Sequence, residues 1–418
     1  MIENLSNWAG NYFYEAAQKH HPETVEQIQE IVHRSTKSKA LGTRHSFNDI
    51  ADSPGDLISL RNFDRVLRLD REHHTVTVEA GIRYGELCRW LDIEGFALHN
   101  LASLPHISIA GACATATHGS GDRLGSLATA VSAMEVVTAN GELMVFSRGN
   151  EDFEGAVVGL GGLGIVTKLT LNISPSFQMQ QDVYENLSLT EAENHFDELT
   201  SSGYSVSLFT DWSQTTFNQV WLKRFAPDGV SLKAEPELFG ATLATRDLHP
   251  IASISAENCT EQMGVCGPWY ERLPHFRMDF TPSSGEELQS EYILPRQHAV
   301  SAFHVIDELR EQISPLLQIS EIRTVAADNL WMSPCYKQAS VAVHFTWKKD
   351  WERVSQVLPI IEDRLSRFNP RPHWGKLFTM PPDQLQLRYE KLSDFRQLLQ
   401  HYDPQGKFRN AFLDQYIF

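Results

Sequence analysis

Gly159-Leu160-Gly161-Gly162-Leu163-Gly164 has the spacing GxGxxG, and the segment directly after it decides which folds stay open to the chain. In a dinucleotide-binding βαβ unit, that motif comes after a strand and opens a helix whose N-terminus takes the pyrophosphate. Here the residues after the glycines, Ile165-Val166-Thr167-Lys168-Leu169-Thr170-Leu171, alternate apolar and polar, which is the period of a strand. A strand stands where the helix should be, and a doubly wound dinucleotide fold is set aside. The glycines are read as a place where backbone passes close to another segment or a ligand.

Period counting then divides the chain. Val25, Ile28 and Val32, with Pro22 ahead of them, predict a helix over 22–35. Residues 73–80 alternate and predict a strand, and Tyr84, Leu87 and Leu91 predict a helix stopped at Gly95. Segments 134–139 and 142–147, joined by Asn140-Gly141, predict a hairpin with a two-residue type I′ turn. Residues 165–173 predict a strand. Beyond residue 180 the sequence turns aromatic, with short strands expected at 204–209 and 219–223, a further strand at 341–347, and helices at 351–368 and 384–401. The pattern is α+β, a mixed N-terminal lobe followed by a sheet-rich one.

Composition excludes several classes of function. A formal net charge of −17 repels phosphates, so neither nucleic acid nor an anionic membrane is expected as a partner. The longest apolar stretch, 155–166, is too short and too rich in glycine to span a membrane. The N-terminal residues lack a basic-then-apolar leader pattern. The five cysteines, Cys88, Cys113, Cys259, Cys266 and Cys335, form no CxxC pair, so neither a disulfide framework nor a metal site is expected. Asn258-Cys259-Thr260 matches a glycosylation acceptor and is taken as chance. A cytoplasmic protein is the expectation.

Three clusters carry chemistry. Residues 41–48 (LGTRHSFN) are small, polar and turn-forming, suited to offering backbone N–H groups to a diphosphate. His45 within them could bond a cofactor through a ring nitrogen; taken alone it is a loop histidine with a local hydrogen bond. Residues 102–121 are nearly all small or hydroxylic, so they could lie flat against a large planar or anionic ligand, or simply pack tightly. In the third cluster Glu321 and Arg323 share one strand face, as do His344 and Thr346 on another strand. Such a set suits a polyol. Taken alone, Glu321 and Arg323 are a surface ion pair, His344 a core-edge histidine, and Lys376 of RPHWGK a loop lysine.

GTRHS, SLPHISIAGACATATHGSG and GLGGLGIV together resemble the vanillyl-alcohol-oxidase-type flavoproteins, and within them the bacterial alditol (xylitol/sorbitol) oxidases. NWAGN near the start, SEIRTVAAD, VHFTW, RPHWGK and KFRNAF extend the resemblance over essentially the whole chain. It implies a two-lobed fold: an FAD-binding domain of the PCMH type over 1–176, completed by about 385–418, and a sheet-plus-helices substrate domain over 177–384. It implies FAD covalently attached through His45 to the flavin 8α carbon. Gly42, Thr43, Arg44 and Ser46 would form the pyrophosphate loop, with Arg44 where many relatives carry glycine. Ser103, Ser108, Gly111, Cys113, Ala114, Thr115, His118 and Gly119 would line the isoalloxazine and pyrophosphate. Ile165 would meet the adenine end, and Ala102 would leave oxygen room.

Ser103, Glu321, Arg323, His344, Thr346 and Lys376 would surround the substrate. The implied reaction converts the terminal primary alcohol of an alditol to the aldose and reduces O2 to H2O2. His344 would act as base, Arg323 and Lys376 would stabilise the alkoxide, and Glu321 would accept from hydroxyls. An apparent pKa near or somewhat above the ~6.5 of free imidazole is expected for His344. A sugar-1,4-lactone oxidase, or another polyol oxidase or dehydrogenase of this fold, is the alternative. The expected partners are a small polyol and O2, and the expected state is a monomer.

Overall fold

The structure is a computed structural model in which residues 5–280 and 285–418 are described. The N-terminal lobe is built on two small sheets. Gln18–His20 and Ser38–Leu41 flank Asp56–Ser59 in a parallel three-stranded sheet. Val66–Asp70, Thr75–Glu79, Ile165–Asn172, Val131–Val137 and Leu143–Ser147 form an antiparallel five-stranded sheet in that order. The glycine run is preceded by the helix Phe153–Val157 and followed by the strand Ile165–Asn172, the reverse of a dinucleotide fingerprint.

The first helix, Val25–Arg34, buries Ile28, Ile31 and Val32. The Thr24 hydroxyl caps it by accepting from the Gln27 N–H at 3.3 Å, so Pro22 lies outside the helix. The second, Tyr84–Ile93, stops before Gly95, which turns the chain at φ +84°.

Two expectations need correction. The 134–147 hairpin exists, but Val137 pairs with Leu143, leaving 138–142 as the loop. Gly141 has φ +84° while Asn140 stays out of the left-handed region, so the turn is not type I′. The Asn140 side chain explains this: its Oδ1 accepts from the Glu142 N–H at 3.1 Å and from the Thr138 hydroxyl at 2.7 Å. That local bonding closes the loop with a single left-handed residue. The helix expected over 384–401 is two helices, Pro382–Gln386 and Leu392–Tyr402. Between them Arg371 donates to the Arg388 carbonyl at 2.9 Å and lies over the Tyr389 ring, while Tyr389 packs on Trp374 with ring centroids 4.9 Å apart. Those contacts hold the break open.

Among the described residues the large sheet has ten strands. Its six long ones run Gln178–Ser188, Thr216–Phe225, Ser205–Thr210, Leu317–Val325, Ser340–Lys348 and Glu287–Pro295, each antiparallel to its neighbours. One face presents Leu288, Tyr292, Val341, Val343, Phe345 and Trp347 to the helices Ala299–Asp307 and Trp351–Leu365 in a single apolar core. The other presents Glu291, Glu321, Arg323, His344 and Thr346, polar and also buried. Strand alternation therefore separates two interiors here, not core from solvent.

The C-terminal helices return to the first lobe. Leu392, Phe395, Leu398, Phe412 and Leu413 share a core with Leu87, Leu127 and Phe153. Asn410 Nδ2 donates to the carbonyls of Asp49 (3.0 Å) and Asp52 (2.9 Å). No helix among the described residues is long and apolar enough to cross a membrane.

Candidate active site

A cavity of ≈ 660 Å³ runs from the 159–164 glycine loop, past the His45 loop, to the polar face of the large sheet. Of the residues assigned to a cofactor by sequence, Gly42, Thr43, Arg44, His45, Ser46, Ser103, Ser108, Gly111, Cys113, Ala114, Thr115 and His118 line it, as does Ala102. Gly119 and Ile165 do not. Gly119 is a packing glycine: a Cβ there would lie 2.3 Å from the Leu101 carbonyl oxygen. The Ile165 side chain is buried in the core with Ile28 and Val137, and Gly164 and Val166 take the wall in its place.

The wall fits a bulky cofactor. A Cβ on Gly42 would come within 2.7 Å of Ser108 Oγ, and one on Gly111 within 3.0 Å of the same atom, so glycine keeps this stretch open. His45 lies against the cavity with its Nδ1 3.0 Å from Thr43 Oγ1 and its ring stacked on Trp8, centroids 5.5 Å apart and planes at 22°. Burial, with His106, Arg83 and Arg44 adding positive charge, pushes His45 down to about 4. The imidazole is therefore neutral near pH 7 and keeps a nucleophilic lone pair. Arg44 adopts φ +64°, the left-handed region that favours glycine. Its guanidinium donates to the Ser6 carbonyl at 2.7 Å.

Register builds the opposite end. Glu291, His344 and Glu321 are direct cross-strand neighbours on three adjacent strands. Arg323 and Thr346, each two residues along its own strand, project from the same face. Lys376 reaches in from the loop after Arg371–Pro372. Its Nζ donates to Glu291 Oε2 at 2.7 Å and to His344 Nδ1 at 2.7 Å. His344 Nε2 lies 3.0 Å from Thr346 Oγ1. Arg323 pairs with Glu291 and sits 3.8 Å from Glu321 Oε2. The surface-pair reading of Glu321 and Arg323 is thereby overturned: both are buried, at 5% and 6% exposure, because the first lobe covers this face.

Glu291 is the residue that sequence reasoning missed. It is fully buried between Arg323, Lys376 and His118. Burial alone would raise its carboxyl, but Arg323 and Lys376 outweigh that and hold it well below the usual carboxylate range. Its signal was present, since Gln289 and Glu291 alternate with Leu288, Ser290 and Tyr292, a strand pattern.

Lys223 and His275 were also missed, and nothing local marks them. Lys223 is fully buried and donates to the Leu273 carbonyl at 2.6 Å and the Pro274 carbonyl at 3.0 Å, with His275 Nδ1 3.2 Å away. Burial lowers it to about 7. An ammonium donating to Nδ1 places the His275 proton on Nε2, which lies 2.7 Å from Glu321 Oε1. Glu321 is thus held as an ionised acceptor: burial would raise it, but Arg323 and His275 bring it below the usual range.

His344 departs from its expected titration. Burial, then the nearby Lys376 charge, depress it well below 6.5 despite Glu291 and Glu321. Burial likewise lowers Lys376. Arg323 is raised, since Glu291 and Glu321 outweigh the cost of its burial. The site thus holds one permanent cation, one weakened lysine, a neutral imidazole and two ionised carboxylates, with Glu291 bonded to Arg323 and Lys376 and Glu321 3.8 Å from Arg323.

Comparison with known proteins identifies the family. Residues 17–147 match a family model described as an FAD binding domain, and residues 282–416 one described as D-arabinono-1,4-lactone oxidase. The chain is 48% identical over 416 residues to an alditol oxidase of a Streptomyces species, covering 99% of both chains. It is 26% identical to the L-gulonolactone oxidase of Scyliorhinus torazame, covering 99% of this chain and 98% of that one. Among solved structures, a solvent-stable cholesterol oxidase superposes with a TM-score of 0.81 at 14% identity, over 99% of this chain and 97% of that chain, a likeness of fold.

Proposed function

The chain belongs to the vanillyl-alcohol-oxidase-type family of FAD-linked oxidases, in its alditol oxidase group, and from that premise we propose that it oxidises the terminal primary alcohol of xylitol, sorbitol or a similar alditol to the aldose, with O2 reduced to H2O2. The observation that carries this reading is the buried polar face formed by Glu291, Glu321, Arg323, His344 and Thr346, with part-buried Lys376 at its edge. An alditol brings several hydroxyls, each both donor and acceptor. Burying them is favourable only where each meets a partner, since an unpaired buried polar group costs about 1–3 kcal/mol.

Gly42, Thr43, Arg44, Ser46, Ser108 and Gly111 would hold the FAD, with His45 bonded to its 8α carbon. When bound, FAD accepts hydride from the alcohol carbon and delivers the electrons to O2. The protein orients the substrate and removes the hydroxyl proton. With Lys376 as an ammonium donating to His344 Nδ1, Nε2 carries the ring proton and no lone pair is free. The acceptor is therefore the His344–Lys376 pair with one proton fewer. In that state Nδ1–H donates to neutral Lys376, and Nε2 takes the alcohol proton. The downward shift of Lys376 on burial favours that state. Arg323, permanently charged, stabilises the alkoxide. Glu321 accepts from substrate hydroxyls, and the Ser103 and Thr346 hydroxyls complete the set.

We assign the FAD-binding domain to 1–176 completed by about 385–418, and the substrate domain to 177–384. The core shared by the C-terminal helices and the first lobe supports this division. We place the protein in the cytoplasm as a monomer, which size-exclusion chromatography with light scattering checks. The decisive experiment is H2O2 release from xylitol and sorbitol against L-gulono-1,4-lactone. Turnover confined to the lactone would replace the alditol reading with that of a lactone oxidase.

A further inference from the structure

The segment carrying NWAGN has no role in the reaction just described, yet its contacts are concentrated on one loop. The Trp8 N–H donates to the Arg44 carbonyl at 2.8 Å, and the Arg44 guanidinium returns a bond to the Ser6 carbonyl at 2.7 Å. Asn7 Nδ2 donates to the Ser46 carbonyl at 2.9 Å, and Asn11 Nδ2 to the Phe47 carbonyl at 2.8 Å. Asn7 Oδ1 in turn accepts from the backbone N–H groups of Asn11 and Tyr12, each at 3.1 Å, which folds the segment into a compact arm. The residue between these anchored carbonyls is His45, and the indole of Trp8 covers its ring. Trp8 also packs edge-on against Phe47, centroids 6.4 Å apart. Backbone anchors on both sides and an aromatic plane over the side chain fix the imidazole in position and in tilt.

We propose that this arm is the template for covalent attachment of the flavin, with Trp8 the positioning residue that presents the His45 ring to the 8α carbon. This rests on the reading that His45 carries the flavin. Attachment joins a His45 ring nitrogen to the 8α carbon, with loss of one hydrogen from the nitrogen and one from the methyl group. The two electrons enter the flavin ring and pass to O2, the oxidant of the enzyme's own reaction, giving H2O2. A bond of this kind forms when the ring nitrogen is held within a narrow range of distance and angle, so an ordered imidazole raises the rate far more than it raises binding. Arg44 matters for the same reason. It holds a left-handed turn that glycine would take freely, and its side chain ties the arm down instead.

The test uses the full chain and reads covalent flavin, not turnover. Wild type, Trp8→Leu, Trp8→Phe, Asn11→Ala and His45→Ala are purified, and their total FAD is measured from the native absorption spectrum. The share retained after acid precipitation is then measured, along with flavin fluorescence of the denatured band. Trp8→Leu is expected to bind FAD like wild type while its acid-stable share falls at least several-fold, and Trp8→Phe is expected to recover most of it. Asn11→Ala removes one anchor without touching the stack and covers the case in which Trp8→Leu does not fold; it is expected to slow attachment when FAD is added to flavin-free protein. Wild-type acid-stable flavin in both Trp8→Leu and Asn11→Ala overturns the arm's role. Complete release of flavin from wild type by acid overturns the attachment itself, and His45→Ala shows whether the retained signal comes from that residue.

Discussion

The two ends of the cavity are held by different means. At the His45 end the anchors are main-chain carbonyls, glycines and a neutral ring, on the loop that follows the strand Ser38–Leu41. At the sheet end the anchors are charges, set by the register of three strands and buried together. A loop fixed through its backbone tolerates exchange of many side chains. A cluster of buried charges does not, since each member is the solvation of the next. The contrast predicts large, specific losses at the sheet end and small, graded ones at the loop.

The strongest test of that contrast is His344→Ala. Anaerobic bleaching of the flavin by xylitol, followed by stopped flow, should slow by about 10²–10⁴-fold, while recovery of the colour with O2 changes much less. A variant that bleaches normally but recovers slowly would move His344 from proton removal to the oxygen half-reaction.

Glu291→Leu strikes the charge cluster at its centre. It leaves Arg323 and Lys376 buried without their shared carboxylate, and such losses run to about 3–5 kcal/mol. The melting temperature should fall sharply, and Glu291→Gln should restore only part of it. A Glu291→Leu protein as stable as wild type would mean that water already screens this end.

Acid brings the two ends together. His45 and His275 are lowered to about 4, and His344 well below its ordinary value, all chiefly by burial. A histidine with a depressed folded value binds fewer protons folded than unfolded. Its contribution is therefore intact above the unfolded value of about 6.5 and is lost as pH falls below it. Each contributes up to about 1.4 kcal/mol per pH unit in that window. Denaturant titrations at pH 7 and pH 5 should show a clear loss. A stability flat between those two pH values would contradict the buried, neutral state.

Glu321→Ala and Arg323→Ala should keep the flavin spectrum and lower kcat/KM for alditols at least about 10-fold. Arg44→Gly should produce the smallest effect on stability. Relief of the left-handed residue and loss of the bond to Ser6 oppose each other at about 1 kcal/mol apiece, so the melting temperature should move little in either direction. A large loss there would erase the distinction between the two ends.

Much of this was legible before the structure. A period-2 pattern located the strand carrying His344, and the strand after Gly164 excluded the dinucleotide fold. The loop motifs led to His45. What stayed hidden depends on distance along the chain. Lys223 and His275 meet Glu321 only once strand order is known, and no local pattern marks a buried lysine. Glu291 lay in a readable strand, but its partners come from Arg323, Lys376 and His118, remote in sequence. Gly119 and Ile165 lie off the cavity wall, because a motif names a segment while packing decides which side chain meets the cavity. The 140–141 turn and the break at 387–391 were missed because side chains, Asn140 and Arg371, competed for backbone groups that propensity assigns to the regular element.

The return of the C-terminal helices to the first lobe also orders events during synthesis. Phe395, Leu398, Phe412 and Leu413 close a core begun by Leu87 and Leu127, and Asn410 bonds carbonyls some 360 residues upstream. Contacts so distant along the chain carry a loop-closure cost that only the finished polypeptide can meet. The lobe that leaves the ribosome first is thus the last to be completed, after the large sheet between its two halves has emerged.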